Sequence, residues 1–575
     1  MEDAFLEKVY NQYKNKDLSQ YCFVFPTRRA AYVFRQRFLQ SSGKTTWLPE
    51  ILAIRDFVEK LTPYPIADDL VMLLLLHEVA SQYNKDLTLE EFFPWGKILL
   101  KDFNEIDQNL IDAEILYRHS YEEREIDARF SLQGDDLEDV AGFWKLFSNK
   151  PLSTLQENFL ANWKSMPEIY AQFKQKLAEK KMVYEGLAYR HIVESLNDDT
   201  ITLPWKKLVF AGFYALSVAE RSILERLHDK QMVDIFWDVD GYYFDNNWHE
   251  AGLYLRRNDF LKQEFSWKNN YFKEQPKTIH ITGAPLKTAQ VKWISNVLKE
   301  KINDPSFNPA TSVIVLPDET MLLSLLYSLP EELKGLNITM GFPVKQSYVG
   351  SLVNAFIQLH KNALASADKY DFKHNDVLNF LSLLDPSLKS FSGLNHLLSA
   401  TNLIYIPAEK LKDHSSVPAF AFERITDLSG LKNSFIQLVS FYKIQIPASD
   451  QINTIISEFV RDSFIDLIAS MERQSVTFSI RMALQIVEEA MLTIKVPFTG
   501  EPIKGLQIMG FLETRTLDFD HVFILSVNEN FLPASSSGKT YIPYSIRKLF
   551  KLPLRNEQDA VYAYHFYRLL QRKFK

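Results

Sequence analysis

Cysteine and glycine are scarce in this 575-residue sequence, and each scarcity excludes a class of protein. The single cysteine, Cys22, rules out a framework of internal disulfides and fits a reducing cytoplasm. Only 18 glycines accompany 42 phenylalanines and 26 tyrosines, a balance that favours large, aromatic-rich and mainly helical cores. Long apolar runs are also missing. The longest, Leu70–Leu76, is interrupted by His77 and falls well short of the roughly 20 residues of a membrane span.

An excess of positive charge is a further absence. The formal net charge is −7, so the whole molecule is not a general binder of polyanions. Any contact with nucleic acid must therefore come from a local basic groove. The length predicts three to five domains.

The start of the sequence has the pattern of a strand, a turn and a helix. The apolar run Tyr21–Phe25 ends at Pro26, as a buried strand does. Thr27 can cap the following segment, Arg28–Gln40, in which apolar residues recur at helical spacing. This unit predicts a layer of an α/β domain.

The pattern then becomes helical from Ala67 to Asn197 and returns to strands afterwards. Lys207–Phe213 and Val233–Trp237 are predicted strands, and Ser217–His228 between them is a predicted helix. Two α/β segments that flank a helical block predict one α/β domain with a large insertion.

The second half repeats this order. Thr278–Thr282 and Ser312–Leu316 are rich in β-branched residues and are predicted strands, each followed by an amphipathic helix. Val353–Glu489 is mainly helical, and Leu506–Met509 and His521–Leu525 are again predicted strands. The sequence therefore predicts an α/β protein with two α/β domains, each interrupted by a mainly helical insertion.

Several stretches, in this order along the chain, resemble those of AddB-like subunits, which are related to RecC and UvrD and are PD-(D/E)XK nuclease family proteins. The stretches are Val24–Ala31, Trp47–Ile51, Asp102–Asp107, Val209–Glu220, Asn337–Pro343, Gly510–Pro533 and Glu557–Arg572. Gly510–Pro533 is the most specific and resembles the motif V region of UvrD-like helicases, while the last stretch resembles the motif VI helix. The resemblance implies two RecA-like, superfamily-one helicase-like domains.

The implied domain boundaries follow from combining this resemblance with the pattern. The first RecA-like domain, with a degenerate ATP site, would comprise 1–64 and 200–270, and its helical insertion 65–199. The second would comprise 277–365 and 490–575, with the insertion 366–489.

The sequence lacks the residues that an ATP-driven motor requires. A phosphate-binding loop needs a second glycine five residues before its Gly-Lys-Thr, but Gly43–Thr45 and Gly538–Thr540 are preceded there by Phe38 and Pro533. The strand that matches Walker B ends in Phe210–Phe213, without a carboxylate for Mg²⁺. No nucleotide cofactor is expected.

Acidic candidates for a metal site have simpler interpretations. Asp318 and Glu319 are best explained as the start of a helix, and Asp135–Asp139 as a solvated loop. Asp238–Gly241 begins like a calcium loop but lacks the later glycine and glutamate of such loops. We expect no metal site and no catalytic residue.

The end of the sequence bears on nuclease activity. The resemblance implies a PD-(D/E)XK domain after the motif VI helix, but residue 575 follows that helix directly, so we expect no nuclease site within these residues. The basic side chains there are interpreted as the exposed face of the last helix. They are Arg568, Arg572, Lys573 and Lys575.

Two segments are candidates for contact with DNA. Arg28, Arg29, Tyr32 and Arg35 combine guanidinium groups with an aromatic ring, which suits phosphates and a stacked base. The alternative is an ordinary solvated helix face. In helicases this region borders the path of the single-stranded DNA, so the resemblance supports contact between these residues and DNA.

The second segment lies in the motif V match, where helicases contact the DNA backbone. Thr514, Arg515 and Thr516 offer hydroxyl and guanidinium donors for that role. The alternative is ordinary hydrogen bonding within a loop.

These observations favour a non-motor subunit that guides DNA in an AddAB-type helicase–nuclease complex, in repair of double-strand breaks and recombination. The expected partners are single-stranded or end-tailed DNA and an AddA-like helicase–nuclease subunit, in the cytoplasm and without a membrane. Two alternatives stay open: an active ATP-dependent DNA helicase or exonuclease subunit, and a protein-interaction module that does not bind DNA.

Overall fold

The structure, a computed structural model, describes most of the chain. The described residues are 4–41, 48–117, 154–257, 268–333, 335–366, 369–384, 403–412, 418–447, 450–497, 505–534 and 538–572. The sequence features at Gly43–Thr45, Asp135–Asp139, Lys573 and Lys575 lie outside them.

Thirteen strands occur in the described residues. They are β1 (Tyr21–Phe25), β2 (Glu50–Ala53), β3 (Lys207–Ala211), β4 (Val233–Phe236), β5 (Ser312–Leu316), β6 (Leu336–Ile338), β7 (Phe342–Pro343), β8 (Leu364–Ala365), β9 (Tyr370–Lys373), β10 (Tyr405–Pro407), β11 (Lys495–Val496), β12 (Leu506–Gly510) and β13 (His521–Ile524).

The α-helices of the described residues fall into two groups along the chain. The first group is α1 (Phe5–Tyr13), α2 (Arg28–Ser41), α3 (Ile54–Leu61), α4 (Asp69–Ala80), α5 (Leu89–Gln108), α6 (Ala113–Tyr117), α7 (Thr154–Glu179), α8 (Glu185–Asn197), α9 (Val218–Asp229), α10 (Gly241–Phe244), α11 (Leu253–Arg257), α12 (Tyr271–Glu274) and α13 (Lys287–Ile302). The second group is α14 (Leu322–Leu326), α15 (Tyr348–Lys361), α16 (His374–Leu384), α17 (Ala408–Lys412), α18 (Leu428–Gln445), α19 (Gln451–Glu472), α20 (Ile480–Thr493), α21 (Tyr544–Leu549) and α22 (Arg555–Leu570).

The first sheet has the strand order β2-β1-β3-β4, and all its pairs are parallel. Strand β1 is buried on both faces, as is usual in a parallel sheet, since Cys22 to Phe25 are all fully buried. The predicted start of α2 is confirmed: β1 ends before Pro26, and Thr27 Oγ1 accepts a hydrogen bond of 3.1 Å from the backbone N–H of Ala30.

The second sheet contains β5 between β12 and β13, and both pairings are parallel. Its central strand is apolar and buried from Val313 to Leu316. The predicted strand Thr278–Thr282 is wrong, because these five residues are exposed and form no strand. β-Branched residues favour a strand only when a neighbouring strand completes the hydrogen bonds, and none does so here among the described residues.

The chain divides into two compact units. Unit 1 comprises Met1–Pro317, Pro330–Gly335 and Ile503–Lys575, and unit 2 comprises Asp318–Leu329 and Leu336–Pro502. Strands β1 to β5, β12 and β13 all belong to unit 1, so the expected mixed α/β class with parallel sheets is confirmed. The division into two RecA-like domains with two insertions stays a prediction.

One apolar core joins the two sheets within unit 1. Buried side chains from β1, α2, β3, β5, β12 and α22 form it; they include Phe23, Phe34, Val209, Val313, Met509 and Leu569. A core this continuous holds the carboxyl edges of both sheets in one fixed arrangement.

The predicted helical block before residue 197 is also confirmed in the described residues. Helix α5 begins with a capping box in which Thr88 and Glu91 satisfy each other's backbone N–H groups. Near its end, fully buried Asp107 accepts a hydrogen bond of 2.6 Å from Tyr170 and binds Tyr184 and Arg190. These contacts tie α5 to α7 and α8.

Unit 2 is built around helix α15, which contacts α16, α18, α19 and α20. Its inward face is almost fully buried and includes Leu352, Val353 and Phe356. Among the described residues, no helix combines the length and the apolarity that crossing a bilayer requires.

Candidate functional site

The carboxyl edge of the first sheet is the place where open parallel sheets usually bind a ligand. Strand β1 runs there into Thr27 and α2, β3 into Gly212, and β4 into Trp237 and Asp238. In this chain the residues beyond β3 and β4 are covered by protein, whereas the start of α2 is exposed. The two parts of the edge therefore have different chemistry.

Beyond β4, four charged side chains form what we call the buried ion network: Asp238, Asp518, Arg568 and Arg572. Arg568 lies 2.8 Å from a carboxylate oxygen of Asp238 and 2.8 Å from one of Asp518. Arg572 lies 2.5 Å and 3.0 Å from the same two carboxylates. Each of the four side chains is at most 6% exposed, so two cations and two anions neutralise each other away from water.

Neighbouring polar groups satisfy the remaining hydrogen-bonding capacity of the network. The side-chain amide of Gln571 donates to Asp238 at 2.7 Å, and the backbone N–H of Phe5 donates to Asp518 at 2.7 Å. The hydroxyl of Tyr564 donates to the carbonyl of Asp238 at 2.9 Å. A buried ion pair is stable only when its other donors and acceptors are paired, and here they are.

The electrostatics keep the network ionised. Burial alone would raise the pKa of the Asp238 carboxyl, but the charges of Arg572 and Arg568 outweigh it and lower that pKa below its ordinary value. Burial likewise opposes the charge of Arg572, and the carboxylates of Asp238 and Asp518 raise its pKa instead. Both residues are therefore charged at neutral pH.

Sequence reasoning missed this network. The sequence predicted that Arg568 and Arg572 lie on an exposed face. This prediction is wrong, because the two side chains are only 2% and 4% exposed. Their spacing of one helical turn, next to apolar residues such as Leu569, was the available signal, because it places both guanidiniums on one side of the helix. Their carboxylate partners are too distant in sequence to be identified from a pattern.

The end of β3 is closed by the loop that contains three of the predicted DNA contacts, Thr514, Arg515 and Thr516. Gly212 has a positive φ of 79°, and a Cβ atom there would lie 1.9 Å from the methyl carbon of Thr516. Thr514 and Thr516 are 1% and 3% exposed. Their hydroxyls bind the carbonyls of Phe511 and Arg515, so both side chains serve the loop itself.

Arg515, between these threonines, is half-buried. Its buried Nε atom has no hydrogen-bond partner among the described residues, and burial lowers the pKa of its guanidinium. The loop thus leaves Arg515 only partly accessible and turns the two neighbouring hydroxyls inward.

The predicted basic group on α2 divides into exposed and internal members. Arg28 is 72% exposed, and its Nε donates to both oxygens of Asp56 at 3.0 and 3.3 Å. Arg35 is exposed and donates to the carbonyl of Ile51 at 2.9 Å. Arg29 points inward instead and donates to the side chain of Gln507 on β12 at 2.9 Å.

Tyr32 lies on the same helical face as Arg28 and Arg35, one turn from each. It is half-buried, and its hydroxyl accepts a hydrogen bond of 2.9 Å from Gln36. The structure therefore brings together three of the four predicted α2 residues on one face and turns Arg29 towards Gln507 instead.

The second Gly-Lys-Thr string has a structural role. Thr540 donates to Asp102 of α5 at 2.6 Å, and the backbone N–H of Tyr541 donates to the other oxygen at 2.7 Å. Burial raises the pKa of Asp102 to about 6, and these hydrogen bonds offset the rise only in part. The hydroxyl of Thr540, which would contact Mg²⁺ in a phosphate-binding loop, is thus engaged by a carboxylate of the protein itself.

The acidic pair Asp318 and Glu319 lies in unit 2 and has the predicted role at a helix start. Asp318 caps a short helix by accepting from the N–H of Thr320 at 3.0 Å, and Glu319 pairs with Lys495 at 2.6 Å. In the part of the chain that the structure describes, no three His, Cys, Asp or Glu side chains are grouped as metal ligands.

The sequence was also compared with known proteins. No protein family matches it, and no curated protein matches it significantly.

Proposed function

We propose that this chain is a non-motor subunit that guides single-stranded or end-tailed DNA within an AddAB-type helicase–nuclease complex. An AddA-like subunit would supply the motor, in a reducing cytoplasm that suits the single buried Cys22. The observation that carries the non-motor part of the proposal is the buried ion network beyond β4.

The network argues against ATP binding at the carboxyl ends of β3 and β4. A nucleotide needs open space at the carboxyl ends of the strands and backbone N–H groups that face its phosphates. Here Thr516 fills the space at the end of β3, and Arg568 and Arg572 are already neutralised by carboxylates. Inserting a triphosphate would leave Asp238 buried without its cations, which is strongly unfavourable.

The DNA part of the proposal is supported by the exposed arginines of α2. Arg28 lies in the first turn of the helix, where the backbone N–H groups also favour an anion. Its pair with Asp56 is at the surface, and such pairs contribute only about 0–1 kcal/mol. A DNA phosphate can therefore replace Asp56 as its partner at low cost.

Two observations favour the alternative function, a protein-interaction module that does not bind DNA. The net charge is −7, and Arg28 and Arg37 already pair with Asp56 and Glu7. Long-range attraction of DNA must then come from local basic surfaces such as the outer face of α2.

The deciding experiment measures binding of labelled single-stranded and tailed duplex DNA across a salt series, with ATP turnover followed in the same samples. We expect binding that weakens as salt rises, because phosphate contacts release counterions, and no turnover above background. Turnover stimulated by DNA would support the active motor instead. Absence of binding at every salt concentration would favour the protein-interaction module.

A further inference from the structure

A second surface of unit 1 carries exposed aromatic rings. Trp248, in the turn after α10, is 95% exposed, and Tyr242 in α10 is 44% exposed. Large aromatic side chains are normally covered, so an almost fully exposed tryptophan indicates a binding surface when other rings adjoin it.

Other rings do adjoin this turn. The ring of Tyr242 lies 4.9 Å from that of Phe272 and 5.9 Å from that of Tyr567, and His249 lies 4.4 Å from Tyr567 between centroids. These four side chains, together with Trp248, which directly precedes His249 in the turn, are what we call the aromatic patch. The packed rings provide a base, and the indole projects from the adjoining turn.

The turn that carries Trp248 is held in place by the fold. Arg256 donates to the carbonyls of Tyr243 at 2.9 Å and His249 at 2.7 Å. The hydroxyl of Tyr243 in turn lies 2.9 Å from the side chain of Gln571, next to the buried ion network. The patch is therefore preorganised, which lowers the entropy cost of binding a flexible ligand.

Positive charge accompanies the rings. The ammonium of Lys277 lies 5.0 Å from the ring centroid of Phe272, and Lys268 pairs with Asp245 at 2.9 Å, which neutralises one carboxylate at the end of α10. Burial, together with the charge of Arg256, lowers the pKa of His249, so its ring is neutral at pH 7.

We propose that the aromatic patch stacks unpaired bases of single-stranded DNA. The inference rests on the proposed DNA-guiding function and names the part of the DNA that this surface recognises. Exposed rings beside cations are the means by which proteins bind single strands without sequence preference. The cation beside the rings favours an anionic strand over a protein partner. The exposed polar residues around Trp248, which are Asn246, Asn247 and Glu250, leave no continuous apolar surface there.

The test compares Trp248→Ala with a matched control, Trp293→Ala, whose side chain is 42% exposed on α13. Affinity is measured by fluorescence anisotropy for a labelled oligothymidylate and for an oligomer of equal length in which all sugars are abasic. We expect Trp248→Ala to weaken oligothymidylate binding about tenfold, as for loss of one stacked base, and to leave abasic binding unchanged. Trp293→Ala should bind both as the unaltered protein does.

The outcomes separate this inference from the proposed function. If Trp248→Ala and Trp293→Ala bind oligothymidylate equally well, the patch does not stack bases, although DNA guidance stands. The same conclusion follows if Trp248→Ala weakens abasic and base-containing oligomers alike. If the unaltered protein binds neither oligomer, the DNA-guiding function fails together with the inference. Tyr242→Ala provides a second variant at the same surface, and it should reproduce the selective loss.

Discussion

Two groups of arginines in unit 1 have opposite environments. Arg28 and Arg35 lie on the outer face of α2, where water reaches them and their partners are a surface carboxylate and a backbone carbonyl. Arg568 lies in the last turn of α22 and Arg572 two residues after its end, and both are buried between two carboxylates. The same side chain thus serves a candidate binding surface in one place and the internal structure in the other.

This difference in burial indicates which arginines are available to bind a ligand and which stabilise the fold. A surface pair gains little energy, because water screens both charges, so its arginine can change partners. A buried pair cannot exchange, because the cost of removing each charge from water is offset only by the charge opposite it. The following four predictions test this contrast, from the largest expected effect to the smallest.

Removing one carboxylate should affect the two groups very differently. Asp238→Ala leaves two buried guanidiniums with half their negative charge, and we expect a loss of about 3–5 kcal/mol in the free energy of unfolding. Asp56→Ala, which removes the partner of Arg28, should cost less than about 1 kcal/mol. Urea denaturation of both variants measures the difference, and equal small losses would show that the network does not hold unit 1 together.

The carboxyl of Asp102 should make stability depend on pH. Its pKa in the folded protein is about 6, above the ordinary value of 3.8, so the folded state binds a proton more tightly than the unfolded state. Its contribution to stability is therefore complete below about pH 4 and is lost as the pH rises through 6, by about 3 kcal/mol.

Asp102→Asn should abolish this part of the pH dependence, whereas Asp69→Asn, at an exposed position on α4, should retain it. The free energy of unfolding measured from pH 4 to 7 checks both. Asp238 contributes a pH dependence of the opposite sign. Because the pKa of its carboxyl is lowered in the folded protein, its contribution to the free energy of unfolding is lost as the pH falls below about 4. If the free energy of unfolding of Asp102→Asn depends on pH as that of the unaltered protein does, Asp102 is not the cause of this dependence.

The exposed arginines should control binding and leave stability unaffected. The double variant Arg28→Ala, Arg35→Ala should weaken single-stranded DNA binding about tenfold. The slope of log affinity against log salt concentration should also fall by the amount that corresponds to about two phosphate contacts. Arg221→Ala, at a 43% exposed position on α9, is the matched control. A double variant that keeps the affinity and salt dependence of the unaltered protein would remove α2 from the DNA path.

The smallest expected effect is a gain. Asp56→Asn breaks the surface ion pair between Asp56 and Arg28 and removes a negative charge next to the start of α2. Because such a pair is worth about 0.2–1 kcal/mol, DNA affinity should rise by about twofold to fivefold in a salt titration. Weaker binding would mean that Asp56 holds Arg28 in the orientation that DNA needs.

Much of the local structure was predictable from the sequence. Tyr21–Phe25 is the strand that the apolar run predicts, and Thr27 caps α2 as expected. Ser217 likewise begins a helix that ends one residue beyond the predicted His228. These features depend on residues within a few positions of each other, so the pattern contains the information.

The candidate site was predictable only in part. Three of the four residues proposed on α2 share one face, but Arg29 points to Gln507 in a strand 478 residues away. Thr514 and Thr516 could not be distinguished from surface donors, because their burial depends on the approach of Gly212 from another sheet.

What the sequence by itself determined was the class of the protein: mixed α/β, with strands and helices that follow from short-range periodicity and capping. Only the tertiary structure decided which charges are internal, since Arg568 meets Asp238 across 330 residues. It also decided that Thr278–Thr282, a strand by composition, stays unpaired. The physical reason is the same in both cases: burial and pairing depend on which distant segment the folded chain brings close.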